Sequence, residues 1–337
     1  MPGNVNAKRV TLRDVAERAG VSINTASRAL ANKSEISPET KRKVLAAAHA
    51  LGYRPNRIAR ALRSQKTRTI GVIVGDIANP YFSALVRGAE KVSRSYEYTV
   101  ILQGTDEDGD RERKAVETVL ATQVDGVLIT PTQRDKAPVK MLLESGTPFI
   151  LMSRYFRDLE TSYVVMDDRR GGFLATERLI QKGYHRIAIL GGPMHISSAY
   201  ERYMGYLEAH KAYGLNIDED LVITGCLTMD DGHRALLGLF RQPKRPQAVF
   251  TFSDFVALGV YRAAYESGIS IPQDLAVVGF DNTRLGICLN PPLTSVGKNP
   301  EELGKRAAFA LLKLIHGKFS PPIKMKLGVY LEERKSA

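Results

Sequence analysis

The stretch Thr11–Leu30, TLRDVAERAGVSINTASRAL, decides how the amino-terminal part of the chain folds. Leu12, Val15, Ala16 and Ala19 recur at spacings of three and four, as do Val21, Ala26, Ala29 and Leu30. Each pattern is an amphipathic helix too short to persist alone, because isolated helices under about 12 residues are marginal in water. The two must therefore pack on each other or on a third helix. Thr11 and Asp14 form a capping box for the first helix, and Ser22 caps the second. Gly20 supplies the turn between them. A third helix opens at Ser37 with Pro38 in its first position. It runs as PETKRKVLAAAHALGY, with Val44, Leu45, Ala48 and Leu51 as its apolar face, and ends at Gly52. The pattern predicts a three-helix unit with a helix-turn-helix core.

Charge separates this unit from the rest. Residues 1–69 hold 15 of the 48 Lys and Arg residues but 4 of the 36 Asp and Glu, a net of +11 out of the chain's +12. A basic segment confined to one fifth of the chain is the electrostatic footprint of a nucleic-acid binder. In such a unit the second helix enters the major groove. Its outward residues Ile23, Asn24, Thr25 and Arg28 are the candidate base readers: Ile suits a thymine methyl, Asn an adenine and Arg a guanine. Thr11, Arg13, Ser22, Lys41, Arg54 and Arg57 are candidates for phosphate contacts, which position without specifying. In RPNRIARALRSQKTRT, Asn56 caps a further short helical pattern carrying Ile58, Ala59, Ala61 and Leu62.

From Thr69 the pattern changes to apolar runs alternating with helical ones. The runs are TIGVIV (69–74), YTVILQ (98–103), DGVLIT (125–130), PFILM (148–152), YVVM (163–166), RIAIL (186–190), QAVFTF (247–252) and LAVVGF (275–280). Helical spacing covers 80–95, 111–122, 169–182, 199–213, 254–267 and 301–316. This alternation predicts parallel sheets with helices on both faces. The strands suffice for two sheets, hence two α/β lobes. Ligands of open α/β sheets sit beyond the carboxyl ends of the strands. Asn79, Tyr81, Phe82, Ser153, Arg154, Ser198, Arg202, Ser253, Asp254 and Asp281 follow strands in this way. Such hydroxyl, amide, charged and aromatic groups suit a small polyhydroxy ligand.

Several classes are disfavoured. The 337 residues contain no run of about 18 apolar residues, so no membrane span is expected. The start, MPGNVNAKRVTLRD, lacks the apolar region of a secretory signal. Cys226 and Cys288 match no zinc or redox spacing. A reduced cytoplasmic setting follows. No G-x-S-x-G, P-loop or H-E-x-x-H motif is present, and histidines 49, 185, 195, 210, 233 and 316 show no metal pairing. No catalytic residue, metal or cofactor is expected.

The stretches VTLRDVAERAGVSINTASRAL and SPETKRKVLAAAHALGYRPNRIARALRSQKTRTIGVIV resemble the LacI/GalR family of bacterial transcription regulators. The resemblance continues through DIANPYFSALVRGAEK, GYHRIAILGGP, SDFVALGVYRAAYESGISIPQDLAVVGFDN and PPLTSVGKNPEELGKRAAFALLKLIHG, covering roughly residues 9–334. It implies a helix-turn-helix domain (1–54), a hinge helix and linker (55–68) and a two-lobed domain (69–337) similar to periplasmic sugar-binding proteins. Lobe N would hold about 69–166 plus 296–324, and lobe C about 167–295 plus the carboxyl-terminal tail, the chain crossing three times.

The resemblance also assigns roles. Ile23, Asn24 and Arg28 fall on base-reading positions. Asn56, Ile58, Ala59 and Leu62 fall on the hinge helix, with Leu62 as a minor-groove wedge. Arg202 and Asp281 fall on recurrent effector contacts, and Ser198 on a pocket position. Ala26 replaces the usual valine. Ser153 replaces an aspartate common in sugar-responsive relatives and, with Arg154, predicts a less acidic pocket that admits a sugar acid as well as a neutral sugar. The implied function is a cytoplasmic, nucleoid-associated homodimeric repressor of a catabolic operon. Its partners would be a pseudo-palindromic double-stranded operator and a sugar or sugar-acid effector. The carboxyl terminus lacks a heptad tail for higher assembly. Two alternatives stay open: a purine-like corepressor, or lobes acting as a binding protein without DNA. Phosphate neutralisation makes the DNA reading measurable. Affinity for operator duplex falls about 10³-fold between roughly 50 and 200 mM salt when about six phosphates are neutralised, and a flat salt response in a binding titration excludes it.

Overall fold

The computed structural model describes residues 10–54, 66–297 and 299–337. The chain divides into two compact units, Met1–Thr67 and Arg68–Ala337. In the first, α1 (Leu12–Ala19), α2 (Ile23–Leu30) and α3 (Pro38–Ala50) bury Val15, Ala16, Ala26, Ala29, Val44, Ala47 and Ala48 together. The capping box between Thr11 and Asp14 is formed. Ser22 and Ser37 cap the next two helices, and Gly20 takes φ +67°. Leu45, expected on the buried face of α3, is 54% exposed. Val44, Ala47 and Ala48 already fill the inward arc, and Leu45 lies about 100° around the helix from Val44.

The second unit holds two six-stranded sheets. The first contains β1 (Thr69–Val74), β2 (Thr99–Gly104), β3 (Gly126–Ile129), β4 (Phe149–Met152), β5 (Tyr163–Met166) and β11 (Lys324–Leu327), in the order β11-β5-β4-β3-β1-β2. The second contains β6 (Ile187–Leu190), β7 (Val222–Ile223), β8 (Ala248–Thr251), β9 (Ala276–Phe280), β10 (Thr294–Gly297) and β12 (Tyr330–Glu332), in the order β12-β10-β9-β8-β6-β7. All pairings are parallel except β10 with β12. Central strands such as VLI in β3 and AVFT in β8 are buried throughout, as expected for sheets covered on both faces.

The resemblance puts 296–324 in the first lobe. The register moves both ends: Val296 pairs with Phe280 in the second sheet, and Leu327 pairs with Met166 in the first. The chain crosses between lobes after β5, after β10 and between β11 and β12.

The helices of the lobes are α4 (Pro80–Ser95), α5 (Gly109–Ala121), α6 (Ala137–Ser145), α7 (Asp168–Gln181), α8 (Ser197–Ala212), α9 (Met229–Phe240), α10 (Asp254–Glu266), α11 (Leu285–Cys288) and α12 (Pro300–Ile315). Three pairs approach through reciprocal glycines. A Cβ at Gly88 of α4 would overlap the Glu301 carbonyl of α12, and one at Gly304 would overlap the Leu85 carbonyl. Gly172 and Gly205 stand likewise against the carbonyls of Arg202 and Arg169 between α7 and α8, and Gly232 and Gly259 against those of Val256 and Met229 between α9 and α10. Bare backbone at each crossing brings the helices close enough for side chains to interdigitate.

Asp254, expected to face a ligand, is a structural residue instead. Its buried carboxylate accepts hydrogen bonds from Thr283 N (2.6 Å), Thr283 Oγ1 (2.9 Å) and Ser295 Oγ (2.6 Å), tying the start of α10 to the chain after β9 and to β10.

Two measurements follow. Gly205→Ala forces α7 and α8 apart and lowers stability by about 1–3 kcal/mol, read by denaturant unfolding; an unchanged midpoint excludes the close crossing. Burial raises the Asp254 pKa from 3.8 to about 6, against the hydrogen bonds of Ser295 and Thr283. The fold thus holds this proton more tightly than the unfolded chain. That stabilisation is full below the unfolded pKa of 3.8 and is lost as the pH rises through about 6. Asp254→Asn does not titrate, so variant stability relative to wild type rises by up to about 3 kcal/mol between about pH 4 and 7. A pH-independent difference overturns the assignment.

Candidate ligand cleft and DNA-reading face

On α2, Ile23 is 43% exposed, and Asn24 and Arg28 are also exposed. Arg28 forms an exposed ion pair with Glu35 at 3.3 Å, so reading a base requires exchanging that partner. Thr25 is half-buried, its hydroxyl 2.8 Å from that of Ser22. Thr11, Arg13, Ser22 and Arg54 are exposed and Lys41 is half-buried. Asn56, Arg57, Ile58, Ala59 and Leu62 lie outside the described residues.

Between the two α/β lobes is a cavity of about 450 Å³. Nine of the ten residues expected there line it: Asn79, Tyr81, Phe82, Ser153, Arg154, Ser198, Arg202, Ser253 and Asp281. Strand ends and helix starts bring them together. Asn79 caps α4 by accepting from Tyr81 N at 3.0 Å, and Ser253 caps α10 by accepting from Val256 N at 3.2 Å. Both therefore shape the cavity wall while satisfying helix amides. Tyr81 packs edge-on against Phe82, with ring centroids 5.2 Å apart, and its hydroxyl lies 2.5 Å from that of Ser153. Ser153 takes φ +63°, a left-handed conformation uncommon for a serine.

Arg202 sits at the centre of the second lobe's wall. Its Nε donates to Asp168 Oδ1 at 2.8 Å, Nη1 donates to the Phe252 carbonyl, and Nη2 lies 3.5 Å from Asp281 Oδ1. The guanidinium lies 3.5 Å from the Phe280 ring centroid. Burial raises the Asp168 pKa to about 6, while Arg202 opposes the shift. Burial also raises Asp281 well above its usual range, again opposed by Arg202.

Arg154 is equally buried. It grips the Glu107 carboxylate through Nη1 and Nη2, each at 2.8 Å, and donates to the Pro131 carbonyl. Glu107 lines the cavity with Asp76, Asp106, Arg134, Leu227, Thr228, Asp231 and Phe252, none of them among the ten expected residues. Asp76 follows β1 and was legible by position. Thr228 and Asp231 form a capping box for α9, a sequence signal that marks this part of the wall.

These additions bring Asp76, Asp106, Glu107, Asp231 and Asp281 to the wall beside Arg134, Arg154 and Arg202. Asp106 and Asp231 are ion-paired with Arg111 and Arg234, which do not line the cavity. Arg154 and Arg202 direct hydrogen bonds to Glu107 and Asp168, and Arg134 donates to the Glu107 carbonyl at 3.0 Å. Arg154 therefore brings no free positive charge to the pocket, because Glu107, distant in sequence, neutralises it. His195 is exposed and lines an adjoining cavity with Gln133 and Arg134. Among the described residues, no helix is long and apolar enough to cross a membrane.

Comparison with known proteins agrees with both units. Residues 11–56 match the family described as bacterial regulatory proteins, lacI family, and residues 67–327 match periplasmic binding proteins and sugar binding domain of LacI family. The ribose operon repressor of Escherichia coli (strain K12) is 36% identical over 328 residues, covering 97% of this chain and 99% of its own. The crystal structure of the lac repressor dimer bound to operator and the anti-inducer ONPF superposes with a TM-score of 0.87 at 29% identity, covering 98% of this chain and 99% of that one. A LacI family regulator from Enterococcus faecium with bound ribose gives 0.71 at 29% identity, covering 80% and 98%. With the helix-turn-helix unit, the two-lobed domain and these matches in agreement, the chain belongs to the LacI family of bacterial regulatory proteins, DNA-binding transcription regulators whose α/β domain is of the family's sugar-binding type.

Proposed function

We propose that the protein is a homodimeric repressor that binds a pseudo-palindromic operator and is released by a neutral sugar of pentose or hexose size. The observation that supports the ligand class is that the two buried guanidiniums of the cleft, Arg154 and Arg202, are already held by Glu107 and Asp168. An anionic effector would find neither of these two cations free, whereas sugar hydroxyls would donate to carboxylate oxygens and lie against Tyr81, Phe82 and Phe252. The ribose operon repressor and the ribose-bound regulator supply the first candidate.

The recognition helices would carry Ile23, Asn24, Thr25 and Arg28, with Thr11, Arg13, Ser22, Lys41, Arg54 and Arg57 on phosphates. Two-fold symmetry of a dimer matches that of a pseudo-palindrome. The sugar must bind one lobe arrangement better than the other, and DNA must then change the affinity for sugar by the same factor.

The test is a thermal-unfolding screen of the full chain against D-ribose, neutral hexoses, sugar acids and sugar phosphates. A sugar at 100 times its Kd adds about 2.7 kcal/mol of stability. Neutral sugars should shift the transition, and Asp281→Asn should reduce that shift by removing an ionisable acceptor. A response confined to acids or phosphates overturns the ligand class. An operator titration in which the active sugar tightens DNA binding overturns release.

A further inference from the structure

Helix α8 carries two cavity residues, Ser198 and Arg202, and its amino end is unusual. The N-cap residue is Ile196, whose side chain cannot accept a hydrogen bond, although the first amides of any helix lack intrahelical partners. The acceptor comes from the opposite lobe: Ser197 N donates to Gln133 Oε1 at 2.7 Å. Gln133 follows β3 and takes φ +61°. Its Nε2 donates to the Tyr155 carbonyl at 2.9 Å, which orients the amide with its oxygen towards α8.

Further bonds join the same two segments. Tyr155 N donates to Ser197 Oγ at 3.0 Å, and Tyr155 Oη donates to Glu201 Oε1 at 3.1 Å. Arg157 Nη2 donates to the same oxygen at 2.6 Å, while its guanidinium lies 4.3 Å from the Tyr200 ring centroid. Gln133 lines the adjoining cavity rather than the central one, so it would act on a ligand through α8.

We propose that Gln133 is a positioning residue that caps α8 from across the cleft, latching the two lobes together and fixing the helix turn that presents Ser198 and Arg202. Its relevance to binding rests on the sugar-cleft reading above. The latch itself does not, because every contact in it is between protein groups. Loss of a helix cap costs about 1 kcal/mol, which shifts an opening equilibrium about fivefold.

The experiment is amide hydrogen exchange of the full chain without added sugar, following the peptide spanning residues 195–201. Gln133→Leu should speed its exchange about fivefold while peptides of α5, in the same lobe as Gln133, stay unchanged. Gln133→Glu keeps the acceptor for Ser197 N but loses the donor to the Tyr155 carbonyl, so it should recover only part of the slow rate. Tyr155→Phe, which removes only the hydroxyl on Glu201, should speed the same peptide and keeps the test open should the leucine variant fail to fold. Unchanged exchange in Gln133→Leu overturns the latch, as does equal acceleration in both lobes. Failure of every sugar to bind would leave this measurement intact, and failure of the latch would leave the sugar reading standing.

Discussion

The buried guanidinium of Arg202 is the group on which the ligand-binding half is organised. A cation out of water needs compensating charge and acceptors, and here they come from distant parts of one lobe. Asp168 begins α7 just after the first crossing between lobes, Phe252 follows β8, and Asp281 follows β9. Asp281 has φ +103°, and its backbone lies against Gly297, where a Cβ would come within 3.0 Å. Gly297 ends β10 at the second crossing. Arg202 thus connects the cleft wall to two of the segments where the chain crosses between lobes.

Arg154 plays the matching part in the other lobe. Its bidentate bond to Glu107 holds a loop in which Asp106 and Glu107 both have positive φ, at +49° and +57°. Glu107 in turn packs against Gly75, where any side chain would overlap its carboxylate. Each lobe therefore lines the cleft with carboxylate oxygens beside a cation already bound by the protein, and Arg154 and Arg202 are held in place by protein groups alone.

The two units rest on different physics. The helix-turn-helix unit is small, its core built largely from alanine and valine, and its short helices depend on caps from Thr11, Ser22 and Ser37. The lobes bury short apolar strands on both faces, with cores on each side of each sheet. Reciprocal glycines let paired helices cross at backbone contact. One of these crossings, Gly172 against the Arg202 carbonyl, sets the depth at which Arg202 stands.

Local signals in the sequence were enough for the helix-turn-helix unit, the eight apolar strands and nine of the cavity residues, because caps, helical spacing and fully buried strands leave a mark within a few residues. Strands β7, β10, β11 and β12 left none. Two of them are two or three residues long, KMKL lies partly exposed in β11, and β10 buries Thr294 and Ser295, whose polar side chains read as loop. Asp254 was legible as a residue following a strand, but its partners Thr283 and Ser295 were not, and they decide that it braces the lobe. The partner of Arg154 was hidden for the same reason: Glu107 and Arg154 are 47 residues apart and meet only when β2 and β4 share a sheet. Sequence by itself determined the elements and the strand ends that face the cleft. Tertiary structure alone decided which charges neutralise each other and which lobe caps α8, because those interactions join residues that neither period nor spacing relates.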